Sequence, residues 1–94
     1  MSWKKSKTAS GFDTLDNEAL SAEELPDVIK TLKKCFGKRL IFAWRAGFEV
    51  SSAAFDAKID GIRITIGWDI WSGAFIMAWN SQGNDIIKEI ESFL

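Results

Sequence analysis

Apolar residues recur at helical spacing in the first half of the chain, where they form one continuous stripe. The stripe consists of Leu25, Val28, Ile29, Leu32, Cys35 and Phe36. Ser21 and Glu24 precede it with the spacing of a capping box, and Gly37 follows it as a C-terminal cap. Pro26 allows two arrangements, either a kink inside the helix or a restart that leaves Pro26 in the first turn. The pattern predicts an amphipathic helix in this segment.

The end of the chain carries a second stripe at helical spacing. Its apolar residues are Ile86, Ile87, Ile90, Phe93 and Leu94. Ser81 or Asn84 is positioned to cap the start of this segment, and polar side chains occupy its other side. The stripe predicts a C-terminal helix.

Between the two stripes, apolar and polar residues alternate as they do in strands, and Asp60-Gly61 predicts a two-residue type I′ turn. The turn sets a register that pairs Ile59 with Ile62, Ala57 with Ile64, Phe55 with Ile66 and Ala53 with Trp68. The large apolar residues of both strands then lie on one face. On the other face Lys58 lies opposite Arg63, which is repulsive unless an acid such as Asp56 bridges them diagonally.

A second hairpin follows if residues 69–72 form a four-residue loop. The pairs are then Trp68 with Gly73, Ile66 with Phe75, Ile64 with Met77 and Ile62 with Trp79. In this register the large residues of the last strand face the core, and the opposite face receives Ala74, Ile76 and Ala78. A further strand over residues 40–50, with a bend or bulge near Gly47 and a turn near Ser51-Ser52, completes the sheet.

These elements predict a single α+β domain over residues 19–94, built as a two-layer sandwich. A four-stranded antiparallel meander forms one layer, the N-terminal and C-terminal helices cover one of its faces, and the element order is αββββα. Residues 1–18 have little periodic apolar content and many Ser, Lys and Asp, which predicts a flexible N-terminal arm.

The composition excludes several kinds of chemistry. The 94 residues contain no His and no Tyr, and Cys35 is the only cysteine. Imidazole-based catalysis, an ordinary zinc site and a disulfide within the chain are therefore excluded. We expect a protein that is not an enzyme and that has no cofactor and no metal. The single cysteine predicts a reducing, cytoplasmic location, and the polar residues that follow Lys4, Lys5 and Lys7 argue against a signal peptide. The longest apolar run, residues 73–79, is too short to span a membrane.

Charge is segregated along the chain although the net charge is only −1. Six acids and no base lie from Asp13 to Asp27, and six bases and no acid lie from Lys30 to Arg45. The basic segment could contact phosphates, but it also compensates the acidic segment and the negative end of the first helix. Because the chain as a whole is slightly acidic, it lacks the positive field that usually accompanies nucleic-acid binding.

The sheet face opposite the helices is the predicted binding surface. Its candidate residues are Arg45, Asp56, Arg63, Thr65 and Ile76, with Ile76 at the centre of a patch of small side chains. A flat face of this kind allows a partner protein, or a second copy in a homodimer, to approach closely. The loop at residues 67–73 adds Asp69 and Trp71, since an exposed Trp is a frequent interface anchor. The other interpretation is that Trp71 folds back over the helix ends.

The predicted function is therefore that of a small protein-binding module, with no small-molecule substrate indicated. The alternative is a nucleic-acid-binding domain that uses the basic segment at residues 30–45 and the N-terminal lysines. Several RNA-binding modules have a four-stranded sheet with helices behind it and stack bases on sheet aromatics. In the predicted register the aromatic side chains face the helices. This alternative therefore requires either the opposite register, or binding by the N-terminal lysines and the basic segment without base stacking.

Overall fold

The computed structural model describes residues 3–49, 52–71 and 73–94, without the side chains of residues 22, 43–49 and 52. It is an α+β structure with two helices, α1 (Leu25–Phe36) and α2 (Ser81–Phe93). The strands are β1 (Lys4–Lys7), β2 (Asp13–Asn17), β3 (Leu40–Glu49), β4 (Ser52–Ile59), β5 (Ile62–Asp69) and β6 (Gly73–Ala78). They form one six-stranded antiparallel sheet in the order β1-β2-β6-β5-β4-β3. The α+β class is confirmed, whereas the predicted count of four strands is too low.

Helix α1 begins after a short 3-10 turn at Ala22–Glu24, so that Pro26 lies in the first helical turn. Of the two arrangements that Pro26 allowed, the structure has the restart, in which the missing N–H of proline has no intrahelical partner to lose. The Glu24 carboxylate accepts hydrogen bonds from the Ser21 backbone N–H at 3.5 Å and the Ser21 hydroxyl at 3.3 Å. Gly37 ends the helix with a φ of +57°.

The prediction that Ser81 or Asn84 caps helix α2 is wrong, because the capping residue is Asn80. The side chain of Asn80 accepts a hydrogen bond from the Gly83 N–H at 2.8 Å. Asn84 has a different partner, because its side-chain oxygen accepts a hydrogen bond from the Asp13 N–H at 2.8 Å. The side chain at position 84 thus ties the helix to β2.

The hairpin between β4 and β5 has the predicted turn and register. Asp60 and Gly61 have φ angles of +55° and +78°, and the pairs run from Ile59 with Ile62 to Ala53 with Trp68. Arg39 anchors this turn to α2, because its guanidinium donates hydrogen bonds to the carboxylates of both Asp60 and Glu89. These contacts raise the pKa of Arg39 and lower the pKa values of both carboxyl groups.

The hairpin between β5 and β6 differs from the prediction by one residue. Asp69 pairs with Gly73, so three residues and not four lie between the paired positions, and Ile66 pairs with Ile76. Gly73 has a φ of +69°, a conformation typical of a loop residue, although it already belongs to the ladder. A shift of one residue moves every side chain of a strand to the other face. Ile76 is therefore 0% exposed and faces the helices, which contradicts its predicted place at the centre of the binding face.

The two strands absent from the prediction come from residues that it assigned to a flexible N-terminal arm. β1 and β2 form a hairpin, and β2 pairs with β6 from Thr14 with Met77 to Asn17 with Ala74. Leu15 is the one residue of β2 that enters the core, where it is 0% exposed. The mobility of residues 1–18 in solution stays a prediction.

Both helices pack on one face of the sheet and share a single core with it. The largest fully buried side chains are Leu15, Leu32, Ile59, Ile64, Ile66, Ile76, Ile87 and Ile90. They come from α1, α2 and the four central strands, and they belong to one contiguous cluster. The opposite sheet face is left without helices. No helix in the described ranges is both long enough and apolar enough to cross a bilayer.

The edge strand β3 departs from regular pairing with β4. The register shifts between Phe42 and Ala46, ahead of the bend predicted near Gly47. The shift amounts to two residues of β3, so it does not exchange the two faces of the strand. The turn predicted near Ser51-Ser52 falls partly on residues 50 and 51, outside the described residues.

Candidate functional site

The sheet face without helices, called the open face below, follows from the register of β3 to β6. Its side chains alternate with the buried core positions along each strand. The central part of the open face consists of Ile41, Ala54, Asp56, Lys58, Arg63, Thr65, Gly67, Phe75, Met77 and Trp79. Phe75, Met77 and Trp79 lie here because the β5–β6 loop is one residue shorter than predicted.

Four side chains of the open face close a cycle of contacts, which we call the Trp79 cluster: Asp56, Arg63, Thr65 and Trp79. The indole Nε1–H of Trp79 donates to the Thr65 hydroxyl at 2.7 Å, and that hydroxyl donates to Asp56 Oδ1 at 2.6 Å. Arg63 Nη2 donates to Asp56 Oδ2 at 3.0 Å. The Arg63 guanidinium carbon lies 3.9 Å from the centroid of the Trp79 ring, which completes the cycle.

The strand register places these four residues together. Asp56 and Thr65 are direct cross-strand partners, and Arg63 lies diagonally from Asp56 on β5. Trp79 directly follows β6 and comes next to Arg63, since Ala78 pairs with Ile64. The cluster therefore depends on both hairpins, and it would not form if β6 were shifted by one residue.

The cluster holds one fixed ion pair beside a further cation. The hydrogen bond from the Thr65 hydroxyl, followed by that from Arg63, holds the pKa of Asp56 below its ordinary value, although burial acts in the opposite direction. Lys58 pairs directly with Arg63 across the strands. Asp56 bonds to Arg63 diagonally as predicted, but it does not form an ion pair with Lys58, so it compensates only one of the two cations. In the part of the chain that the structure describes, Lys58 has no ion pair.

The Phe75 ring lies across Gly67 on the open face. A Cβ atom at position 67 would come within 2.5 Å of Phe75 Cζ and 2.8 Å of the Ala53 carbonyl oxygen. The lack of a side chain at Gly67 therefore leaves the space that the Phe75 ring occupies. With Met77 between them in sequence, Phe75 and Trp79 give the open face an aromatic character that the predicted register did not have.

The structure places only some of the predicted site residues together on the open face. The structure brings Asp56, Arg63 and Thr65 together, whereas Ile76 lies in the core. The side chain of Arg45 lies outside the described residues. Trp79 is the residue that the sequence interpretation missed, because its predicted partner Ile62 placed it in the core. The sequence did offer one indication. Asp56 and Thr65 are directly opposed polar residues in the predicted hairpin, which suggests a further hydrogen-bonding side chain beside them.

The loop between β5 and β6 ends the sheet with two exposed apolar side chains. Trp71 is 78% exposed and Ile70 is 57% exposed. Trp71 therefore does not fold back over the helix ends. Asp69 Oδ1 accepts a hydrogen bond from the Trp71 backbone N–H at 2.9 Å, which holds the loop in a tight turn.

Compared with models of known protein families, with curated proteins and with solved structures, the chain gives no match. The arrangement of the site therefore has to be interpreted from its own chemistry. The Thr65 hydroxyl donates its one hydrogen to Asp56, and the Asp56 carboxylate is ion-paired with a lowered pKa. A carboxylate whose pKa is lowered in this way is a weak general base at neutral pH.

Proposed function

We propose that this protein is a small, non-enzymatic protein-binding module that acts through its open face and its 67–73 hairpin loop. The observation that carries the proposal is the stacked pair of Arg63 and Trp79 on a sheet face without helices. Trp and Arg are the residue types most enriched at binding hot spots. Because Asp56 and Thr65 already hold both side chains in place, little side-chain entropy remains to be lost on binding.

The hairpin loop supplies a second contact in this proposal. Ile70 and Trp71 project from the end of the sheet, and an exposed pair of large apolar side chains fits a concave site on a partner. Asp69 supports the turn through its bond to the Trp71 N–H and does not need to touch the partner. The proposal involves no cofactor, no metal and no small-molecule substrate, and it assigns the protein to the cytoplasm.

A photo-crosslinking experiment tests the open face. The photoreactive residue p-benzoylphenylalanine is placed at Ile41 on the open face and, as a matched control, at the exposed Lys30 of α1. We expect adducts from position 41 in a lysate of the source cells, and we expect Trp79→Ala in the same chain to abolish them. Adducts from position 30 alone, or adducts insensitive to Trp79→Ala, would contradict the proposal.

The partner can also be a second copy, which sedimentation equilibrium distinguishes. A homodimer through the open face would dissociate in the Trp79→Ala variant, whereas salt would have little effect on association through apolar contacts. A chain that is monomeric with and without the substitution excludes the homodimer and leaves a different protein as the partner.

Nucleic-acid binding is the second candidate, and one observation favours it. The rings of Phe75 and Trp79 lie on the open face, where bases could stack. The N-terminal lysines give less support, because Lys5 and Lys7 are already ion-paired with Asp13. Fluorescence anisotropy with labelled single-stranded DNA and RNA over a salt series tests this candidate. Affinity that falls steeply with salt and is lost in Trp79→Ala would support it, and no binding at low salt would exclude it.

A further inference from the structure

Four side chains form a row across the open face, one from each of three strands and one from the end of β6. Ile41 pairs with Lys58, Lys58 pairs with Arg63, and Arg63 stacks on Trp79. Ile41 is 66% exposed and Trp79 is 41% exposed. The row therefore has an accessible apolar group at each end and two cations between them.

The two central cations, Arg63 and Lys58, are only partly compensated by the protein's own carboxylates. Asp56 bonds to one nitrogen of Arg63, Nη2, and among the described residues the guanidinium makes no other hydrogen bond. Lys58 is exposed and has no ion pair within the described ranges. One carboxylate for two adjacent cations leaves a net positive charge at the centre of the row. An oxyanion between Lys58 and Arg63 would complement that charge.

The spacing of the row matches an extended peptide laid across the strands. Neighbouring strands are about 4.8 Å apart, so a row over four strand positions spans roughly 14 Å. In an extended chain, alternate residues on one side are about 6.7 Å apart, so residues one, three and five span roughly 13 Å. When residue one contacts Trp79 and residue five contacts Ile41, residue three lies between Arg63 and Lys58.

We propose that the open face binds an extended protein segment with the pattern apolar, any residue, acidic, any residue, apolar. The central carboxylate lies between Arg63 and Lys58, and the two apolar side chains pack on Trp79 and Ile41. This inference rests on the proposed function and names the class of its partner.

Two observations favour a foreign acidic segment over the other occupants. Asp16 and Asp56 lie on the same face, and the whole chain is slightly acidic. The repeated phosphates of a nucleic acid would therefore be repelled more strongly than a single carboxylate placed between Lys58 and Arg63. A second copy offers no suitable segment, because the pattern occurs in this chain only at residues 25–29. That segment lies in α1, where Leu25 is buried.

The test is an NMR titration of the full chain with two peptides, Gly-Leu-Ser-Glu-Ser-Leu-Gly and the same peptide with Gln in place of Glu. We expect the Glu peptide to shift the Trp79 indole N–H signal and the Ile41 amide signal. Its affinity is expected to be roughly five- to tenfold higher than that of the Gln peptide, as for a charge-assisted contact on a partly exposed surface. A single-stranded oligonucleotide titrated in parallel tests the phosphate alternative.

Two substitutions with matched chemistry complete the test. Lys58→Gln removes one cation without touching the Trp79 cluster, and Lys88→Gln removes an exposed lysine of α2 on the helix side. Lys58→Gln is expected to reduce the preference for the Glu peptide to about twofold or less, and Lys88→Gln to leave it unchanged. Unchanged signals outside the open face report that both variants are folded.

The failure of this inference is distinguishable from failure of the proposed function. Equal affinity for the two peptides, shifts confined to another surface, or tighter binding of the oligonucleotide would each overturn the acidic segment as occupant. The proposed function would survive the first of these results if crosslinks from position 41 still depended on Trp79. Absence of such crosslinks overturns the proposed function and this inference together.

Discussion

The register of β6 is the feature on which the whole candidate site depends, and two neighbouring substitutions test it. Ile76 is fully buried, whereas Met77 is half-buried on the open face. Ile76→Ala removes three carbon atoms, worth about 0.8 kcal/mol each in transfer free energy, and leaves a cavity that adds to the loss. We expect Ile76→Ala to lower the free energy of unfolding by about 4 kcal/mol and Met77→Ala to lower it by about 1 kcal/mol or less.

The loss expected for Ile76→Ala is large on the scale of the protein's stability. A domain of 94 residues has a free energy of unfolding of about 5 to 14 kcal/mol. A loss of about 4 kcal/mol corresponds to a fall in Tm of roughly 15 to 30 °C. If Ile76→Ala does not fold while Met77→Ala does, the loss at position 76 exceeds the loss at position 77, which is the expected order.

Urea unfolding followed by tryptophan fluorescence and by circular dichroism measures both variants against the wild type. Equal slopes of free energy against urea concentration would show that the midpoints report stability alone. The reasoning is refuted if Met77→Ala costs as much as Ile76→Ala or more. That result would restore the four-residue loop and would place Trp79 in the core.

Three further predictions concern single residues. Gly67→Ala is expected to destabilise the fold by about 1 to 3 kcal/mol, because the new Cβ meets the Phe75 ring. Urea unfolding measures this loss, and a stabilised variant would contradict that contact. The pKa of Asp13 is lowered, chiefly by its hydrogen bond from Lys7, so its stabilising effect is full above its ordinary pKa of 3.8 and is lost as pH falls through the lower folded value. The Tm difference between wild type and Asp13→Asn is expected to shrink below pH 4, and a constant difference from pH 2 to 7 would refute this account. Trp71→Phe is expected to change stability by less than about 0.5 kcal/mol. It is also expected to remove the fluorescence most accessible to acrylamide among the tryptophans whose side chains the structure describes, and unchanged quenching would show that Trp71 is not exposed.

The hairpins show which parts of the fold a sequence can specify locally. Asp60-Gly61 allows one common turn type, so the register of β4 and β5 could be predicted from two residues and the alternation around them. Gly73 is ambiguous, because a glycine can be the last residue of a loop or the first of a strand. Gly73 belongs to the strand because β2 approaches it closely, at a point where any side chain would collide with the backbone of Asn17. That contact is not visible in the local sequence.

The N-terminal hairpin could not be predicted for a related reason. Within β2, Leu15 alone adds an apolar side chain to the core, so no periodic signal marks the strand. Three of its polar residues, Asp13, Thr14 and Asn17, are buried. The Asp13 carboxylate is paired with Lys5 and Lys7, and its backbone N–H donates to Asn84, a residue far away in the sequence. The same long-range dependence explains the candidate site, since Asp56, Arg63 and Thr65 were identified from the local hairpin and Trp79 was not.

The position of β6 in the sheet also determines the order in which the protein can be completed on the ribosome. β6 lies between β2 and β5, although it follows the other five strands of the sheet in sequence. The N-terminal hairpin and the β3–β5 meander therefore emerge as two separate pieces, and the link from Thr14 to Met77 closes a loop of about 60 residues. Until β6 has left the exit tunnel, the facing edges of β2 and β5 lack the strand that pairs with both of them, and unpaired edges of this kind are open to pairing with other strands.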